Sequence, residues 1–121
     1  MEFSAFLESL ETEDRILVAM FLDTLAKYGP DVDGRWFKTL PDDLIQVRIG
    51  PTRQVVGSRL GLSLSTPSEP MLIRIYLIES GPNIVILNGY DKEKDRSRAT
   101  QQAAIRLANL RAELCKSNLA R

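Results

Sequence analysis

Arg48 and Arg74 are the first residues in this sequence that could do chemistry together. Each lies in a stretch whose apolar residues recur at every second position, and each falls on the face opposite that apolar set. If the two stretches pair as strands, both guanidinium groups project from the same uncovered side of a sheet. A third apolar run leads into Tyr90, Lys92, Lys94, Arg96 and Arg98. Arginine forks hold phosphate oxygens bidentately, and a tyrosine adds a stacking surface or a hydroxyl. Cations on separate elements that converge on one face point to a phosphate-bearing partner.

Composition narrows the chemistry further. The 121 residues contain no histidine, which removes the commonest general base and metal ligand. A single cysteine, Cys115, can form neither an internal disulfide nor a zinc site and suggests a reducing compartment. There is no glycine-rich phosphate loop and no serine or cysteine triad. Glu2, Glu8, Glu11, Glu13 and Asp14 read as solvated faces of short helices. The formal charge is zero, yet it is unevenly spread. Residues 1–45 hold ten acidic and four basic side chains, and residues 46–121 hold six and twelve. Such asymmetry hints that the basic part meets nucleic acid. Met1-Glu2-Phe3-Ser4 lacks the features of a signal peptide and no apolar run is long enough to span a bilayer, so a cytoplasmic protein with no membrane partner is expected.

The elements that must position these groups follow from periodicity. Phe3, Phe6, Leu7 and Leu10 predict a short helix. Thr12 is expected to cap a second one carrying Ile16, Leu17, Met20, Phe21, Leu25 and Tyr28, stopped by Gly29-Pro30. Asp31 to Gly34 reads as a turn, with Trp36, Phe37 and Leu40 as core anchors. Strands are predicted at residues 44–49, 71–79 and 84–88, and a final helix over about 99–115 with an apolar stripe of Ala103, Leu107, Leu110 and Leu114. Residues 50–70, rich in Gly and Pro, read as an irregular insertion, either a hairpin or a mobile loop. The fold class is α+β in a single domain over 1–121: an N-terminal helical hairpin, a small antiparallel-rich sheet covered on one face, and a C-terminal helix.

Several blocks together resemble the RelE/HigB toxin superfamily, closest to its phage-derived, HigB-like branch. They are Leu44-Ile45-Gln46-Val47-Arg48-Ile49, then Ile73-Arg74-Ile75-Tyr76, then Ile84 through Asn88-Gly89-Tyr90-Asp91-Lys92. Lys38-Thr39-Leu40 before them, Ala103-Ala104 with Arg106 after them, and the hairpin ending at Tyr28-Gly29 fit the same order. The resemblance implies a RelE-like fold and the toxin half of a type II toxin–antitoxin pair: a ribosome-dependent mRNA endoribonuclease that inhibits translation without a metal or other cofactor. It implies partners as well, namely the ribosome with its mRNA and a cognate antitoxin of helix-turn-helix type in a hetero-oligomer.

Carried over by position, Arg48 and Arg74 would hold the scissile or adjacent phosphates, and Tyr90 and Lys92 would act in stacking and proton transfer. Arg53, Arg59, Lys94, Arg96 and Arg98 would add RNA contacts. Electrostatic stabilisation and positioning suit a site without histidine. The chain departs from the family in three places. It begins almost directly on a helix where the family has a strand, Glu93 replaces a basic residue, and residues 50–70 replace a short turn. Two other readings use the same fold: a non-catalytic binding protein of a phage or mobile element, and a ParE-like gyrase inhibitor.

Overall fold

Helices cover both faces of a small antiparallel sheet. The computed structural model describes residues 2–29, 34–62 and 69–119. Residues 31–33 of the turn expected at Asp31 to Gly34, and the middle of the 50–70 segment, lie outside the described residues. Helices α1 (Phe3–Ser9) and α2 (Thr12–Tyr28) form the N-terminal hairpin. Glu11, not Thr12, takes the capping position of α2, and no side chain caps it. Glu13 and Asp14 in the first turn still suit the positive end of the helix. Gly29 ends α2 at φ 65°, a conformation that costs a residue without Cβ little.

Four strands follow in meander order: β1 (Phe37–Thr39), β2 (Ile45–Ile49), β3 (Ile73–Ser80) and β4 (Asn83–Asp91). All neighbouring pairs are antiparallel. β1 is an addition to the three strands that periodicity predicts, being too short to show a pattern. β4 runs further than the predicted 84–88, so Tyr90 lies on a strand and not in a loop. The β3–β4 ladder contains a bulge. Leu77 pairs with Ile86 and Tyr76 with Asn88, which leaves Leu87 without a partner.

One face of the sheet presents Val47, Ile49, Ile73, Ile75 and Leu77 to Phe6, Leu17, Val18, Phe21, Leu25 and Trp36. Their burial is nearly complete, and this is the main core. The alternation read from sequence for β2 and β3 is therefore realised. The opposite face carries a second cluster of Leu44, Tyr76, Ile78 and Leu87. Here the expectation of one covered face is corrected, because that apolar set needs shelter from water and the C-terminal helix α4 (Arg98–Leu119) provides it.

α4 does not dock through the predicted leucine stripe. Ala108 and Ala112 are buried against the sheet, with Ala104, Ile105 and Cys115 partly so, while Leu110 and Leu114 stay in solvent. Small residues let the helix approach Tyr76 and Leu87 closely. Two polar tethers fix it: Asn88 Nδ2 donates to the Ala104 carbonyl at 3.1 Å, and Arg111 Nη1 donates to the carbonyl of the bulged Leu87 at 2.8 Å.

Nor is the 50–70 segment irregular where it is described. Arg53–Arg59 forms a helix, α3, with Thr52 Oγ1 accepting from Val55 N at 3.2 Å as its cap. Thr52 bridges to Pro70, and Arg53 N donates to Glu69 O at 2.9 Å, closing the base of the excursion. The Gly and Pro content hides this helix, whose signal in the sequence is Thr52 before Val55-Val56.

Candidate anion-binding site

The register of the sheet assembles the expected residues. Arg48 of β2 faces Arg74 of β3, and Arg74 faces Tyr90 of β4. The three side chains form one row across three strands on the α4 side of the sheet. Two residues further along the strands, on the same face, Gln46, Tyr76 and Asn88 form a second, neutral polar row. All three of these are buried, and Gln46 Nε2 donates to the Tyr76 hydroxyl at 2.9 Å.

Gly89 makes the position of Tyr90 possible. A Cβ there would lie 2.8 Å from the Phe6 ring and 3.0 Å from the Arg74 carbonyl, so only glycine lets α1 rest on β4 at this point. At the end of the strand, Lys92 N donates to Leu72 O at 2.8 Å and extends the ladder by one step. Lys92 thus closes the strand that carries Tyr90.

Arg48 and Arg74 line a shallow depression of about 250 Å³ together with Arg35, Arg59, Gly50, Pro51 and Leu72. Four arginines from four elements surround it: Arg35 in the turn Gly34–Trp36, Arg48 on β2, Arg59 on α3 and Arg74 on β3. Arg59 lies over the Trp36 ring at 5.3 Å and donates to Gly50 O at 3.4 Å, which fixes its stem. Among the described residues, no carboxylate pairs with Arg48, Arg59 or Arg74. Arg35 is the member that sequence reading omits; its signal is adjacency to the core anchor Trp36.

The electrostatics of the row follow from its half-burial. Loss of solvent pushes the pKa of Arg74 down; Tyr90 and Tyr76 oppose this, and Arg48 adds repulsion in the downward direction. Tyr76 is pushed up to about 12, first by burial. Burial also raises Tyr90, and the cation of Arg74 opposes that rise. Both hydroxyls therefore keep their protons at neutral pH. The Tyr90 hydroxyl oxygen is buried beside Tyr76 without a well-formed hydrogen bond.

The remaining expected contacts are placed elsewhere. Arg53 is held by three carboxylates: Nε to Asp14 at 2.7 Å, Nη1 to Glu13 at 3.1 Å and Nη2 to Glu11 at 2.7 Å. The Asp14 hydrogen bond raises its pKa against the effect of burial. All three nitrogens are occupied in tying α3 to α2, and Arg53 lines a different depression from that of Arg48 and Arg74. Lys94 lines a separate depression with Glu11, Asp14, Arg53, Asp91 and Glu93, apart from the arginine row. Arg96 pairs with Glu93 at 2.6 Å. Arg98 is exposed in the first turn of α4, whose start is capped by Ser97 Oγ accepting from Thr100 N at 3.2 Å.

Among the described residues, no group of three or more acidic or cysteine side chains is arranged to hold a metal ion, and no helix is long and apolar enough to cross a membrane. Comparison with protein-family models, with curated proteins and with solved structures gives no match to this chain.

Proposed function

We propose that the protein binds the phosphate backbone of RNA in the arginine-lined depression, and that it acts as a ribosome-dependent, metal-independent endoribonuclease with a RelE-like fold. In this reading it is the toxin of a toxin–antitoxin pair. The supporting observation is the row Arg48–Arg74–Tyr90, with Arg35 and Arg59 around the same depression and no carboxylate on Arg48, Arg59 or Arg74. Arg48, Arg59 and Arg74, without a paired carboxylate among the described residues, suit a ligand that brings negative charge.

Cleavage would proceed by attack of a ribose 2′-oxygen on the adjacent phosphorus. The new O–P bond forms as the bond to the 5′-oxygen breaks, giving a 2′,3′-cyclic phosphate and a 5′-hydroxyl. Arg48 and Arg74 would neutralise the charge that develops on the phosphorane oxygens. Water would take the proton of the 2′-hydroxyl, and Tyr90, protonated at neutral pH, suits donation of a proton to the departing 5′-oxygen, to be reprotonated by solvent.

A second reading is favoured by one observation. The Tyr90 hydroxyl is buried, so it reaches a substrate only if its surroundings move. RNA held without cleavage is the alternative that this geometry supports. The experiment is expression of the protein followed by mapping of mRNA ends on ribosomes, with purified-protein RNA binding alongside. New 5′-hydroxyl ends that fall by about tenfold or more in Arg74→Ala support the nuclease. Intact mRNA with Arg74-dependent RNA binding supports the binding protein. Neither cleavage nor binding rejects both.

A further inference from the structure

The apolar stripe on α4 that the sheet leaves uncovered has its own pattern. Ala103, Leu107, Leu110 and Leu114 recur at spacings of four, three and four, the repeat of a two-helix seam. Ala103, Leu110 and Leu114 are exposed and Leu107 is half-buried, with Leu110 at 55% and Leu114 at 58% of full accessibility. The helix spends Ala104, Ala108, Ala112 and Arg111 on the sheet, so this is a second, independent face. Exposed Arg106 and Glu113 flank the same edge of the stripe, seven residues apart.

We propose that this face pairs with the same face of a second copy of the chain, in antiparallel orientation. Take a two-fold axis crossing α4 midway between Leu107 and Leu110. Leu107 then packs on the second copy's Leu110, and Ala103 packs on its Leu114. The same axis brings Arg106 beside the second copy's Glu113, and the pair occurs twice by symmetry. Charge decides the orientation. A parallel pair would offer Arg106 no acidic partner, whereas the antiparallel pair sets opposite charges together. The charges on this helix are therefore complementary to the helix itself when reversed, and that identifies a second copy as the occupant.

The test is sedimentation equilibrium of the purified full chain and four variants, with circular dichroism as the check on folding. Wild type is expected to dimerise, and Leu110→Glu/Leu114→Glu to be monomeric and folded, since both leucines lie in solvent in the single chain. Arg106→Glu and Glu113→Arg should each weaken dimerisation by about three- to tenfold, because each places like charges together at both pairs. The combined Arg106→Glu/Glu113→Arg variant should restore the affinity to within about twofold of wild type. That rescue is specific to the antiparallel self-pair and does not depend on the leucine variant folding. A wild type that is monomeric at every concentration overturns the proposal. So does a dimer that is indifferent to the leucine changes, or one whose two charge swaps add instead of cancelling.

Discussion

Arg53 and Arg74 are both largely withdrawn from water, and they differ in what faces them. Arg53 meets three carboxylates, and every nitrogen of its guanidinium is bonded. Arg74 meets Arg48 on one side and Tyr90 on the other, and the one hydrogen bond of its Nη1 goes to the neighbouring Ile73 carbonyl at 3.3 Å. The first arrangement is complete within the chain and joins α2 to α3. The second carries a desolvation cost with no carboxylate among the described residues paired to offset it. A half-buried cation that faces another cation and a neutral tyrosine is a better indicator of an external anion than the number of basic residues on a surface.

The widest separation between the two regions is expected from Asp14→Ala. It removes the least exposed of Arg53's partners and should lower stability by about 3 kcal/mol, read by denaturant unfolding, while leaving RNA affinity unchanged. If stability holds, the cluster is not the joint between the helices that its geometry suggests.

Arg74→Ala should do the reverse. RNA affinity should fall about tenfold and the salt dependence of binding should flatten by about one phosphate contact, with stability changed by less than about 0.5 kcal/mol. A marked loss of stability would mean that Arg74 is structural and would erase the contrast.

Arg48→Glu sharpens it further. Arg48 lies directly across from Arg74, so the change replaces a like-charge pair with an opposite one. Stability should rise by about 0.5 kcal/mol while RNA binding is lost.

The last effect is confined to alkaline solution. The folded state holds the Tyr76 proton up to about pH 12, whereas a tyrosine in the unfolded chain releases it near its ordinary value of 10. The folded state therefore binds the proton more tightly. Stability should be level below pH 10 and fall as pH rises from there toward about 12, and Tyr76→Phe should flatten that slope in pH-dependent unfolding curves.

Much of this was legible in the chain, for reasons that differ by element. Alternation in Ile45–Ile49 and Ile73–Ile78 reports a sheet with two environments, and it places Arg48 and Arg74 on one face without any knowledge of the neighbours. α4 departs from its hydropathy pattern for a physical reason. Hydropathy ranks Leu above Ala, but a helix lying close on a sheet is chosen by size, so Ala104, Ala108 and Ala112 dock while Leu110 and Leu114 do not. The clamp on Arg53 was not legible at all, since its partners lie about forty residues away in sequence and only the packing of α3 on α2 brings them together. Arg35 joins the depression for the same reason, through a turn whose place is set by Trp36.

The extra residue at Leu87 changes the parity of β4. Before it, even-numbered Ile84 and Ile86 face the main core and odd-numbered Val85 and Leu87 face α4. After it, even-numbered Asn88 and Tyr90 face α4 and odd-numbered Gly89 turns to Phe6. Without that one-residue offset the strand would keep its first count: Tyr90 would pair with Ile73 and point into the apolar core, and a glycine would stand beside Arg74. Absorbing the extra residue in a bulge therefore decides whether the tyrosine shares a face with the arginines, whereas a chain lacking Leu87 would keep Tyr90 opposite Arg74 with no bulge at all.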